Sequence, residues 1–180
     1  NFTVLSPADE ISTRVLVHAA AAHVGPVFIR TGRPKTPIIY TGEAKFAIGG
    51  SAQLTDGHDL TIIATGLLVA EALRAQESLE NEGLSARVID MYSIKPLDRA
   101  AIIRAAQETR AIVVAEEHLV ASGLGVRVAQ VVAETAPVPM EFVGIQDTYA
   151  ESGTPDELMR KYGLVATDIA AAARRVIARK

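Results

Sequence analysis

From Leu60 to Gly144, short apolar runs alternate with longer amphipathic stretches, and this rhythm restricts the chain to a narrow set of folds. Leu60 to Ala64 is a nearly continuous apolar strand, and after Gly66 the periodicity predicts a helix to about Asn81. In that helix Leu68, Val69, Ala72, Leu73 and Leu79 share one broad face, while Glu71, Arg74, Glu77, Asn81 and Glu82 lie largely opposite. One side must therefore pack on a sheet. Gly83 ends the helix, and the pattern repeats as strand 86–90, helix 99–108, strand 111–115, helix 124–134 and strand 140–144. Strands alternating with helices imply a largely parallel sheet with helices on its faces and right-handed crossovers. Thr154-Pro155-Asp156-Glu157 then reads as a capping box with proline at the first helical position, and a terminal helix is expected from about Asp168.

The front of the chain is punctuated differently. Ser6-Pro7-Ala8-Asp9 predicts a helix start, with Ser6 as the cap and Pro7 in the first turn, and the helix should run to about Val24. Gly25-Pro26 stops it, and Val27 to Arg30 reads as a short strand. Gly32, Pro34 and Pro37 interrupt regular structure between Thr31 and Tyr40, which places a linker or domain boundary there. A second unit is expected to begin near Lys45 with a strand through Leu54 and a turn at Asp56-Gly57. No repeat of fixed period is present. The chain opens Asn1-Phe-Thr-Val without an initiator methionine, as expected of a piece of a longer protein.

Composition narrows the partners. A length of 180 residues accommodates one sizeable core, or one domain and part of another. With 49% hydrophobic and 22% charged residues the chain is ordinary for a globular protein, and with 4% aromatics its core should be aliphatic. A net charge of -3 gives no broad attraction to nucleic acid or to an anionic membrane surface. The absence of cysteine excludes disulfides, thiolate nucleophiles and cysteine-ligated zinc, and it makes the cytoplasm the default expectation. No apolar segment approaches the roughly 20 residues that span a bilayer, and no signal-peptide pattern is present.

Ala115-Glu-Glu-His-Leu-Val-Ala-Ser-Gly-Leu-Gly125 concentrates polar groups at the end of a strand. As a metal site it falls short: neighbours on a strand face opposite ways, so Glu116 and Glu117 cannot readily serve one ion. Glu116 and His118 could share a face, but two ligands do not make a zinc site. As a dinucleotide cradle, Gly123 and Gly125 match the first two glycines of G-x-G-x-x-G. The third position is Val128, however, and two carboxylates stand where a pyrophosphate needs a positive field. What remains is a tight strand-to-helix turn with acidic side chains near the positive end of a helix.

Arg30-Thr31-Gly32-Arg33 is the one basic cluster at the carboxyl end of a strand, where ligands bind in open α/β sheets. Arginine forks well onto phosphate, although two solvated arginines on a loop would look the same in sequence. His18 and His23 fall on different parts of a helix and His58 lies in a turn. Neither G-x-S-x-G nor G-x-x-x-x-G-K-[ST] occurs, which leaves hydrolase and P-loop readings unsupported.

In order, the segments Gly25-Pro-Val-Phe-Ile-Arg30-Thr-Gly-Arg33, Asp56-Gly-His-Asp-Leu-Thr-Ile-Ile-Ala-Thr-Gly66, Val88-Ile-Asp-Met-Tyr-Ser-Ile-Lys-Pro-Leu-Asp98, Glu116-Glu-His and Gly123-Leu-Gly125 resemble the carboxyl-terminal half of the transketolase family. The resemblance is strongest to the separate C-terminal subunit of split transketolases. Its implied layout is the tail of a thiamine-diphosphate pyrimidine-binding domain over residues 1–32, a linker over 33–44, and the transketolase C-terminal domain over 45–180. That domain is implied to be a three-layer α/β/α fold with a five-stranded, mostly parallel sheet, and its one antiparallel strand would be the segment from Lys45 to Leu54.

The resemblance also implies transfer of a two-carbon ketol unit between sugar phosphates with thiamine diphosphate and magnesium, in a homodimer or heterotetramer. Arg30 matches the family's substrate-phosphate arginine, and Arg33 is placed to assist. The Gly-Asp-Gly diphosphate-magnesium motif, the activating glutamate and the aromatic that stacks on the aminopyrimidine are absent. The isolated chain is therefore expected to bind no cofactor, to be inactive and to need an N-terminal section or subunit. Ser122 replaces the usual first glycine of Gly-Gly-Leu-Gly without evident harm in a turn. A 2-oxoacid dehydrogenase β subunit and a deoxyxylulose phosphate synthase carry a similar terminal domain. A non-catalytic regulatory or subunit-docking module is the remaining alternative.

Overall fold

The computed structural model describes residues 1–180. Its elements are β1 (Thr3–Leu5), α1 (Glu10–Ala22), β2 (Val27–Ile29), β3 (Ala52–Thr55), β4 (Leu60–Ala64), α2 (Leu68–Glu80), β5 (Ala86–Asp90) and β6 (Ser93–Lys95), then α3 (Arg99–Thr109), β7 (Ile112–Leu119), α4 (Leu124–Thr135), β8 (Met140–Ile145), α5 (Pro155–Lys161) and α6 (Ala166–Ile177). A five-stranded sheet has the order β3-β5-β4-β7-β8. Only β3 is antiparallel to its neighbour; β5, β4, β7 and β8 are mutually parallel. The fold is thus the mixed α/β architecture that the strand and helix periodicities require.

Strand alternation divides the core in two. Leu60, Ile62 and Ala64 of β4, Val88 of β5 and Val113 of β7 join α2 and α6 on one face. Ile63, Ile89, Ile112 and Val114 join α3 and α4 on the other. Each fully buried leucine, isoleucine or valine contributes roughly 1.5–3 kcal/mol through its removal from water. Thr61, buried on the second face, satisfies its hydroxyl against that of Thr109 at 2.9 Å.

A second, three-stranded sheet has the order β2-β1-β6, with β1 parallel to β2 and antiparallel to β6. Because β6 follows β5 directly, it ties this small sheet to the large one. Aromatics are few, yet three of them gather at this junction. Phe46 packs edge-on against both Tyr40 and Tyr92, with ring centroids 4.7 and 4.9 Å apart, beside buried Leu5 and Leu16.

Three local expectations need correction. Helix α1 is capped by Asp9, not Ser6: the Asp9 carboxylate accepts from the Ser12 N–H at 2.8 Å in a capping box. The main chain of Ser6 instead bridges to other segments, its N–H donating to the Tyr92 carbonyl and its carbonyl accepting from the Thr65 hydroxyl. The strand expected from Lys45 to Leu54 shrinks to β3, because the chain turns at Gly49-Gly50, where Gly50 N–H donates back to the Ala47 carbonyl. Helix α6 starts two residues early, as the Asp168 carboxylate reaches back to the Val165 N–H at 3.2 Å.

The irregular segment before β3 is pinned by two aspartates. The N–H groups of Ile39 and Tyr40 donate to Asp9 at 2.8 and 3.0 Å, and the Tyr40 hydroxyl donates to Asp90 at 2.7 Å. Burial opposes charge on Asp9, but the hydrogen bonds from Tyr40, Ser12 and Ile39 outweigh it and hold the carboxyl below its ordinary range. Asp90 behaves oppositely. It is fully buried, one carboxylate oxygen has no partner, and burial, with repulsion from Asp9, outweighs the Tyr40 hydrogen bond and pushes it up to about 7.

Because the folded protein holds this proton more tightly than an unfolded chain with an ordinary value of 3.8, the resulting stability is complete below that value and lost as pH rises to about 7. Relative to Asp90→Asn, the unfolding free energy of the native protein should therefore fall across this window of about three pH units by on the order of 4 kcal/mol, at roughly 1.4 kcal/mol per unit. Urea titrations at several pH values measure it. A difference that does not change with pH would contradict this account of Asp90.

Candidate functional site

The carboxyl ends of β1, β2, β4 and β7 face a cleft of about 880 Å³. One wall is the approach to α1 from Ser6 to Glu10, the other is the segment from Arg30 to Thr36, and Gly66, Leu67 and Glu117 close it. The position of Arg30 follows from the strands. Its N–H continues the ladder of β1 and β2 by donating to the Leu5 carbonyl at 2.9 Å, one residue beyond Ile29.

The Arg30 guanidinium then meets Glu117 twice. Nη2 donates to the Glu117 main-chain carbonyl at 2.5 Å and lies 3.3 Å from its carboxylate Oε2. Both side chains remain more than a third exposed, at 38% for Arg30 and 36% for Glu117. Arg33 and Lys35 line the same cleft and are exposed. Arg14 also faces it, but pairs with Glu10 at 2.7 Å. The cleft thus gathers Arg30, Arg33 and Lys35, and the two arginines singled out by sequence share one wall.

Glu116 points the other way, as alternation along a strand demands. Its buried carboxylate accepts from the Leu124 N–H at 2.7 Å and from the Gly125 N–H at 2.8 Å. It fills the anion position at the start of α4, so no pyrophosphate fits there; the stretch is the expected strand-to-helix turn, but only Glu116 lies at the helix start, while Glu117, expected beside it, faces the cleft and Arg30. The strand itself is longer than expected, since β7 continues through Glu116, Glu117 and His118 to Leu119.

His118 is exposed, its Nδ1 3.3 Å from the Leu119 carbonyl. His23 lies against Thr3 and His58 beside Asp59, both away from the cleft. No three His, Asp or Glu side chains converge where they could hold a metal ion.

The chemistry on offer is anion recognition. Arg33 and Lys35 stand exposed along the cleft, and Arg30 meets it from its contact with Glu117, while Asp9, the buried carboxylate of the wall, is committed to Ser12, Ile39 and Tyr40. Sequence reasoning found Arg30 from its place at a strand end. It missed Glu117 as the partner of Arg30, because the two are 87 residues apart. The only available signal was the alternation that separates Glu117 from Glu116.

Residues 49–169 match the family described as transketolase, C-terminal domain. The chain is 40% identical over 178 residues to 6-deoxy-6-sulfo-D-fructose transketolase subunit SqwH of Clostridium sp. (strain MSTE9), covering 99% of this chain and 55% of that protein. It is 41% identical over 162 residues to an apulose-4-phosphate transketolase subunit of Phocaeicola vulgatus, covering 89% of this chain and 52% of that one. The chain therefore spans about half the length of these curated relatives. Among solved structures it superimposes on a split-gene transketolase described as an inactive β4 tetramer, with a TM-score of 0.97 and 44% identity, over 100% of this chain and 59% of that one. No helix is long and apolar enough to cross a membrane.

Proposed function

The chain belongs to the transketolase family, whose C-terminal domain it carries, and on that premise we propose that it is the C-terminal part or subunit of an enzyme transferring a two-carbon ketol unit between sugar phosphates. In this reading Arg30 binds the substrate phosphate and Arg33 assists. The observation that carries it is the position of Arg30, fixed by the β1–β2 ladder and opening onto a cleft lined by Arg33 and Lys35. Binding energy gained at a phosphate remote from the reacting carbon orients the substrate, and it accelerates the reaction to the extent that it is realised in the transition state.

Thiamine diphosphate with magnesium belongs, in this proposal, to the remainder of the enzyme. The residues present do not fit that group. No three ligating side chains converge to hold the metal, and the start of α4 is already filled by Glu116. The partner is accordingly an N-terminal transketolase section or subunit, in a homodimer or heterotetramer. Residues 1–32 are the tail of a pyrimidine-binding domain, 33–44 a linker and 45–180 the C-terminal domain.

Two measurements test this reading. The complete protein should transfer a ketol unit from xylulose 5-phosphate to ribose 5-phosphate, and consumption of pyruvate in its place would contradict the assignment. The 180-residue chain alone should show no thermal shift with thiamine diphosphate and magnesium. A saturable shift would place the cofactor on these residues and overturn the division proposed here.

A further inference from the structure

The contact between Arg30 and Glu117 restricts how an anion can be bound. A guanidinium has five N–H donors, and its two forked edges, Nε with Nη2 and Nη1 with Nη2, share Nη2. Both Glu117 contacts fall on that nitrogen, one from the carbonyl and one from the carboxylate. While both persist, neither edge is free to fork onto a phosphate.

The two contacts are not equally firm. The carbonyl belongs to the main chain of β7 and is held in place with the strand, whereas the carboxylate is 3.3 Å away on a side chain 36% exposed. An ion pair between two such exposed groups is weak and easily opened.

We propose that the Glu117 carboxylate is a specificity-determining group of this site, competing with the phosphate of the substrate for Nη2 of Arg30 while the Glu117 carbonyl holds the guanidinium in place. The proposal rests on the reading of Arg30 as the phosphate-binding residue. An arriving phosphate displaces the carboxylate from one edge of the fork and keeps it nearby as a like charge, which weakens binding. The C-terminal domain thereby sets how tightly the enzyme holds phosphorylated substrates, through a residue that touches no reacting atom.

The consequence differs from that of a residue which merely supports Arg30. Glu117→Gln keeps the carbonyl contact and removes the charge, so in the assembled enzyme the KM for a phosphorylated aldose acceptor should fall about three- to tenfold, the effect of one like charge at a partly exposed site. The KM for the unphosphorylated acceptor should stay constant. Inhibition by inorganic phosphate should tighten by a similar factor, and Glu117→Ala should move both quantities in the same direction.

Arg30→Ala is measured alongside. If it weakens phosphorylated substrates while Glu117→Gln leaves them unchanged or weakens them too, the role of Glu117 is overturned and that of Arg30 stands. If Arg30→Ala treats phosphorylated and unphosphorylated acceptors alike, the phosphate reading of Arg30 fails, and the competition proposed for Glu117 fails with it.

Discussion

Replacing Gly123 with alanine should destabilise the protein by about 3–5 kcal/mol, the range seen when a buried charge loses its partners. The backbone is not the obstacle, since Gly123 has φ −94°, which any residue adopts. Space is. A Cβ at this position would lie 2.0 Å from Glu116 Oε2 and 2.4 Å from the carboxylate carbon. The carboxylate would have to leave the N–H groups of Leu124 and Gly125 from a position that is only 4% exposed. Helix α4 would lose the anion that complements its N-terminus at the same moment.

Glu116→Gln is the milder companion. It retains one acceptor and gives up the charge, which should cost about 1–3 kcal/mol. Urea unfolding of the three proteins checks the order. A change below about 1 kcal/mol in Gly123→Ala would mean that the carboxylate relaxes elsewhere without penalty.

The sequence made parts of this architecture legible for identifiable reasons. The large sheet and its helices follow from periodicity, because β4, β5, β7 and β8 are long enough to display an apolar run and α2 to α4 each show a buried stripe. Strands β1 and β6 were not readable. They are three residues each, as is β2, but no Gly-Pro stop like the one before Val27 sets them off, and β6 follows β5 so closely that Ser93-Ile-Lys95 looks like part of a loop. The start of α1 was misplaced because Ser6 and Pro7 are themselves good start residues, whereas the side chain that closes a capping box, with Ser12, is that of Asp9.

The site divides in the same way. Arg30 was legible from its position at the end of a strand, a rule that depends only on local pattern and fold class. Glu117 as its partner, like Tyr40 as the partner of Asp90, depends on chain segments distant in sequence brought together by packing. Glu116 was read correctly as a companion of a helix start, because eight residues separate it from Leu124 and the turn between them is nearly local.

The role of Arg30 is the central claim, and its substitution should have the largest effect on function. In the proposed role, alanine at this position removes a guanidinium whose charged hydrogen bonds to the substrate phosphate would each be worth about 1.5–3 kcal/mol. One such bond corresponds to a loss of about 10- to 100-fold in apparent affinity. Arg33, exposed on the same wall, would recover part of that loss, so the expected change lies within this range and not above it.

The most direct measurement is the KM of the complete enzyme for a phosphorylated ketose donor and for the same sugar without its phosphate, in the native protein and in Arg30→Ala. The account predicts a rise of about 10- to 100-fold for the phosphorylated donor and little change for the other. Equal effects on both donors would remove Arg30 from phosphate binding and contradict the account at its centre.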